Sequence, residues 1–250
     1  DVGRSSEQYF AGQIRDLRLW NDALTEFPIH QRYQTPDTVS ETLLAYWAFA
    51  DFETAYILDG SANVNHLRLG GLASARKPTL FERHLPADSA FFLTERNVLT
   101  FNDPGDGISV PAGAEATPPK RHTIEVWVKV NDPDLTQRRQ VIYHSGDAQQ
   151  GLVIYVHDGL LHFGGYDQGN GWQGTWLQTD RILANRWHHV ALVLDARAEL
   201  RPQVFRAYLD GKLVDLGDGV QLSTVPTTVL GSAAGDIRFH DGVETAENTY

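Results

Sequence analysis

The chain has 250 residues, a net charge of −11, 42% hydrophobic and 21% charged residues, and no cysteine. The apolar content is enough for a sizeable core and excludes a disordered chain. The acidic balance speaks against a nucleic-acid partner or an anionic membrane surface, since both need a basic face. Without cysteine there are no disulfides, thiolate zinc sites or cysteine nucleophiles, which points to a bacterial or similar source. No apolar run approaches the length of about 18 residues that a membrane span needs. The chain begins at Asp1 and lacks methionine, and is read as a piece of a longer exported protein.

The first element is "YFAGQIRDLRLWNDAL", residues 9–24, whose imperfect alternation fits a strand better than a helix. Asn21-Asp22 offers a cap for one or two helical turns before Pro28, and residues 31–42, with Pro36, form a polar connector. From Leu43 the strand signals become dense: "LLAYWAFAD", the turn cluster "LDGSANVNH", then "LRLGG". Residues 71–89 carry little pattern. "VLTFND", "DGISVPAG" and "HTIEVWVKV" follow, then "QVIYHSG", "GLVIYVHDGLLHFGGY", "GTWLQTD", "RWHHVALVLD", "VFRAYLDGKLVD" and "TTVLG". In "HTIEVWVKV", Ile124, Val126, Val128 and Val130 form one face. Asp158-Gly159 and Asp210-Gly211 sit between alternating runs, the strongest short hairpin signal. Many short strands with such turns predict an antiparallel sandwich or barrel with very little helix.

Seven of these segments together, covering most of the chain, resemble the laminin G-like jelly roll of the concanavalin A-like lectin/glucanase superfamily. They include "LLAYWAF…LDGSANVNHLRLGG", "HTIEVWVKV", "RWHHVALVLD" and "FAGQIRDLRLWNDAL". The resemblance implies an all-β, antiparallel two-sheet jelly-roll sandwich. It also implies that the segment at residues 9–24 should come last, after "TTVLGSAAGDIRF". The expected organisation is therefore a tandem array. Residues 1–30 would be the tail of one repeat, 31–42 a connector, and 43–250 a jelly roll without its own last strand. Because first and last strands of this fold lie side by side, the N-terminal strand is expected to complete the sandwich in place of the missing C-terminal one. It would do so within the chain, giving a monomer, or by exchange in a strand-swapped dimer.

The glucanases of this superfamily carry alternating carboxylates on one strand face. Here Glu125 has no partner two or four residues on, and Asp195 is alone, so no acid pair is found. There is no G-x-S-x-G elbow, and His188-His189 on a strand point to opposite faces, so they do not share an ion. His144, His157 and His162 lie near one hairpin and are read as core or solvated residues. Asp59, Ser61, Asn63 and Asn65 gather oxygen donors in one turn, the chemistry calcium needs. The resemblance implies a calcium in that loop, sometimes aided by the strand "IRDLRLW". The competing reading is an Asx-rich turn that satisfies its own backbone. Asp103 and Asp106 form a weaker second candidate.

"GGYDQGNGWQGTWLQTD" offers Tyr166, Trp172 and Trp176 with Asp167 and Asn170 in a Gly-rich loop. Aromatic faces with a few polar groups suit a sugar, and glycine lets a ligand approach the backbone. The competing reading packs the loop and takes Trp176 into the next strand. Trp20, Trp47, Trp127 and Trp187 are read as core. The leading expectation is a non-catalytic binding module of a larger extracellular or surface protein, recognising glycans or glycoproteins beside neighbouring domains. The alternatives are a structural spacer or protein-interaction domain of a multidomain adhesin or toxin, and a glycan-cleaving enzyme.

Overall fold

The computed structural model describes residues 8–35, 40–49, 52–53, 56–69, 79–81, 98–102, 106–109, 121–195, 205–217, 228–230, 237–240 and 242–244. The chain opens with β1 (Gly12–Trp20) and helix α1 (Glu26–Gln34), followed by β2 (Leu43–Trp47), β3 (Phe52–Glu53), β4 (Tyr56–Ile57), β5 (Leu67–Leu69), β6 (Thr79–Phe81) and β7 (Val98–Phe101). Next come β8 (Ile108–Ser109), β9 (Arg121–Val130), β10 (Gln140–Gly146), β11 (Gln150–His157) and β12 (Leu160–Asp167). A 3-10 turn at Gln168–Asn170 leads into β13 (Trp172–Arg181). The remaining strands are β14 (Trp187–Asp195), β15 (Phe205–Leu209), β16 (Lys212–Gly217), β17 (Thr228–Leu230), β18 (Ile237–Phe239) and β19 (Gly242–Glu244).

Among the described residues, one antiparallel sheet has eight strands in the order β16-β15-β14-β9-β1-β7-β6, with β2 also paired to β1. The other has nine, in the order β13-β12-β11-β10-β17-β8-β5-β4-β3. Ile124, Val126 and Val128 of the first sheet and Leu152, Ile154 and Val156 of the second meet in one core. The period-2 pattern therefore assigns these faces as expected. Both Asp-Gly joints have positive φ at their two central residues, 49° and 81° at Asp158-Gly159 and 51° and 76° at Asp210-Gly211. That is the hairpin turn that matches strand twist. The architecture is a two-sheet antiparallel jelly-roll sandwich.

The N-terminal strand lies inside the first sheet, within the same chain. One side of β1 pairs with β9. Its other side pairs with β7 through Gly12–Ile14 and with β2 through Leu17–Trp20, all antiparallel. Its untidy alternation has a local cause. Between Arg15 and Arg18 the register against Trp127 and Glu125 gains one residue, and Asp16 takes a φ of 50°. This is a β-bulge at a residue type that tolerates positive φ. The bulge puts Ile14, Leu17 and Leu19 in the core. Arg15 and Arg18 pair instead with Trp127 and Glu125 on the outer face.

The helix differs from the expected one. It starts after Thr25 rather than Asn21-Asp22 and runs to Gln34, four residues into the expected connector. Pro28 fits because it lies in the first turn, where backbone N–H groups have no intrahelical acceptor. Asp22 instead accepts from Ala23 N at 2.9 Å and pairs with Arg121 at 2.9 Å.

Candidate functional site

The two outer faces of the sandwich are covered by different elements. On the eight-stranded sheet, α1 lies over Trp20, Ala191, Val193 and Tyr208. Beneath it sits Glu125, fully buried. Its Oε2 accepts from Arg32 Nε at 2.6 Å and from Trp20 Nε1 at 2.8 Å. His189 Nε2 lies 3.7 Å from Oε1. Burial is the main cause that holds the His189 ring nitrogen down to about 4, against the opposing pull of Glu125. Arg15 lies between Trp127 and Trp187, at 5.1 and 4.5 Å from their ring centres, and Tyr33 of α1 stacks on Trp127. The lone acid of "TIEVWVKV" is thus an ion-pair centre sealed from solvent. His188 turns the other way, to Asp210 at 3.0 Å, so the two adjacent histidines do face opposite sides.

The acidic loop gathers Asp59, Ser61, Asn63 and Asn65 in one turn against β2. Asp59 Oδ1 accepts from Tyr46 N and Ser61 N, and Oδ2 from Ser61 Oγ and Asn65 N, all within 2.7–2.8 Å. Asn63 and Asn65 direct Nδ2 to the carbonyls of Leu43 and Leu44. Both carboxylate oxygens are occupied by protons, and the amides donate. As arranged, both oxygens of Asp59, the loop's one carboxylate, accept hydrogen bonds from the chain itself, whereas calcium takes six to eight oxygen ligands from carboxylates, carbonyls and water. Tyr46 links this loop to β1, donating from its hydroxyl to Asp16 at 2.9 Å. Asp106 accepts from Asn102 N at 2.9 Å, and Asp103 lies outside the described residues.

The Gly-rich segment splits across the nine-stranded sheet. Trp172 faces inward, 5% exposed, edge-on to Phe205. Tyr166 is 0% and Asp167 1% exposed, and Asp167 accepts from Asn170 N and Nδ2. The expected platform of Tyr166, Trp172 and Trp176 therefore does not form. Gly164 and Gly165 explain the split. A Cβ at Gly165 would meet Trp172 at 2.5 Å from inside, and one at Gly164 would overlap the Trp176 ring from outside. Neither glycine leaves room for a side chain, so each tryptophan lies flat on one face. Gly174, at a φ of 133°, interrupts the alternation between them.

Trp176 is half-buried on the outer face of β13, an edge strand. It stacks on Tyr166 at 6.1 Å and meets His240 edge-on at 6.4 Å. Gln178 follows on the same face, opposite His162, and His162 stacks on Tyr155 at 4.6 Å. Burial holds the His162 imidazole down to about 4, so it is neutral at pH 7. His157 lies 6.4 Å from His162, while His144 lies apart on β10, opposite Val153. Trp176, Gln178, His162 and His240 thus form a mixed aromatic and polar surface. Of these, the sequence identified Trp176 and, as a core or solvated residue, His162. Gln178 was recoverable from period-2 spacing to Trp176 and His240 was not.

The fold is that of a lectin-like sandwich. The chain belongs to the concanavalin A-like lectin/glucanases superfamily, whose laminin G-type profile matches residues 102–243. The match leaves out β1 and α1. No curated protein matches the chain. Among solved structures, the binding domain of Paraclostridial Mosquitocidal Protein 1 aligns at a TM-score of 0.52 and 14% identity over 73% of this chain and 43% of that one. The botulinum neurotoxin serotype D ligand binding domain in complex with N-acetylneuraminic acid gives 0.49 and 13%, over 74% and 43%. Mouse laminin alpha1 domains LG4-5 give 0.38 and 18%, over 56% and 33%. The chain spans a third to under half of those chains, and the likeness to the mosquitocidal protein's binding domain shows the fold alone. Among the described residues, no helix is long and apolar enough to cross a membrane.

Proposed function

We propose that this chain is a non-catalytic carbohydrate-binding module of a larger extracellular or surface protein, and that Trp176 is its sugar-stacking residue. The carrying observation is that half-buried indole, held flat over Gly164 on an edge strand with Gln178, His162 and His240 around it. An apolar face ringed by a few hydrogen-bonding groups is what a pyranose ring needs. The superfamily supports this reading, since lectins are among its members. Glu125 supports the non-catalytic part, because its carboxylate is committed to Arg32 and Trp20 beneath α1.

A glycan array read with calcium and again with chelator tests this. Specific hits are expected, equal under both conditions, and lost in Trp176→Ala with the circular dichroism spectrum unchanged. A blank array from the folded chain would sink the reading. A second reading, a protein-contact domain, is favoured by Phe27 on α1, 74% exposed, and by the exposed Leu213 and Val214 on β16. Under it, Trp176→Ala leaves partner capture intact.

A further inference from the structure

Among the described residues, the hairpin β18–β19 belongs to neither large sheet and its strands pair with each other. It lies on the outer face beside Trp176, where Ile237 and Phe239 pack on Val141, Val153 and Tyr155. Its backbone hangs on two tyrosine hydroxyls. Arg238 N donates to Tyr166 Oη at 3.1 Å and His240 N to Tyr155 Oη at 3.4 Å. Tyr166 in turn donates to Asp147 O at 2.6 Å. Under this cover the ring pairs Tyr155–His162 and Tyr166–Trp176 lie nearly parallel, at 6° and 21°.

His144 supplies an independent observation. It is opposite Val153, on the covered face, and 1% exposed. Neither ring nitrogen makes a hydrogen bond of normal geometry. A buried imidazole without a partner is costly and rare.

We propose that β18–β19 is a displaceable cap, and that the aromatic row beneath it continues the Trp176 surface, so the full site takes an extended oligosaccharide rather than a single sugar. This rests on the carbohydrate-binding reading. Trp176 is the uncovered first position, Tyr166 and the Tyr155–His162 pair are the covered ones, and His144 is the hydrogen-bonding group at the inner end. Among the described residues the hairpin shares no ladder with either sheet; it is held by the two hydroxyl bonds, the small apolar cluster and the ring contacts Arg139–Phe239, Arg238–Tyr166 and His240–Trp176.

The test uses the full chain and its Tyr155→Phe/Tyr166→Phe variant. Hydrogen exchange over 237–244 is expected to be faster than over β9 and β14 in the parent. It should speed up about fivefold per hydroxyl removed, while β9 and β14 stay unchanged. Diethylpyrocarbonate should modify His144 faster in the variant. With β-linked gluco- and galacto-oligosaccharides of one to six units as probes, affinity should rise with length, and the longer members should raise His144 labelling. A hairpin that exchanges only at the rate of the core strands overturns the cap. A hairpin that opens while affinity is flat from one unit to six overturns the extended site. Sugar binding that survives Trp176→Ala instead overturns the placement of the site at Trp176, and no binding of any probe by the folded parent overturns the carbohydrate-binding reading; either leaves the exchange result standing by itself. If the double variant misfolds, Tyr155→Phe alone gives the same comparison.

Discussion

Two covers close the same sandwich by opposite means. Helix α1 is keyed to its sheet by charge: Arg32 reaches a fully buried Glu125, Arg15 lies between two tryptophans, and His189 stands 3.7 Å from the same carboxylate. The β18–β19 hairpin is held by aromatic contacts, two tyrosine hydroxyls and two arginine–ring contacts, Arg139 on Phe239 and Arg238 on Tyr166. A buried charge pair is intolerant, since losing either partner strands the other in a low dielectric. An aromatic cover that lifts exposes apolar surface but strands no charge, and a ligand's apolar face can replace what it covered. The first cover therefore fixes the fold, and the second is the place where function can sit.

Acid should break both covers, with the largest effect of all. Burial lowers His122 and His189 to about 4 and His144 to about 3, from an ordinary 6.5. The unfolded chain binds protons at these sites below pH 6.5 and the folded chain does not. Stability is therefore full above pH 6.5 and lost as pH falls toward 4, by roughly 3 kcal/mol or more per histidine. Three such groups rival the whole stability of a domain, about 5–15 kcal/mol. For His189 the facing charges are Glu125, Asp210, Arg18 and Arg32, whose effects oppose one another and leave burial dominant. Urea midpoints should hold between pH 8 and 7 and collapse by pH 5. A flat profile down to pH 4.5 would show that these rings are not buried as described.

Glu125→Ala sharpens the contrast at the keyed cover. It leaves Arg32 without its carboxylate and should cost about 3–5 kcal/mol. Urea denaturation measures it, and a loss under 1 kcal/mol would mean that α1 is not anchored there. Glu125→Gln should lie between, because an amide still accepts from Trp20.

The sequence made the sandwich legible wherever alternation was clean. Ile124 to Val130, the Asp-Gly turns and the order of segments were enough to predict a two-sheet antiparallel sandwich completed by β1, while the choice between cis and exchange stayed open. It failed where one residue changes parity. The bulge at Asp16 turns Arg15 and Arg18 outward, and Gly174 puts Trp172 and Trp176 on opposite faces. No composition argument shows that, because a positive φ at a single residue is not written in hydrophobicity. One signal was available: Trp20 and Trp127 interleave with charged residues on their strands, which is unusual for a wet surface.

The smallest effect concerns the glycine that makes the hairpin side an aromatic surface at all. Gly164 has no positive φ, so the backbone accepts alanine without strain. The added methyl would overlap the Trp176 ring and press on Val153 Cγ1 at 2.8 Å. The ring must lift off the sheet, while the β11–β12 and β12–β13 ladders, made by backbone groups, stay in register. Overpacking of this size costs about 1–3 kcal/mol, near the lower end here because Trp176 is half-buried and can move toward solvent. Gly164→Ala should thus fold, show red-shifted tryptophan emission, exchange faster over 237–244 and lose array binding, with exchange at α1 unchanged. If α1 loosened equally, the two covers would be coupled through the core, and the division between a structural face and a functional face would fail.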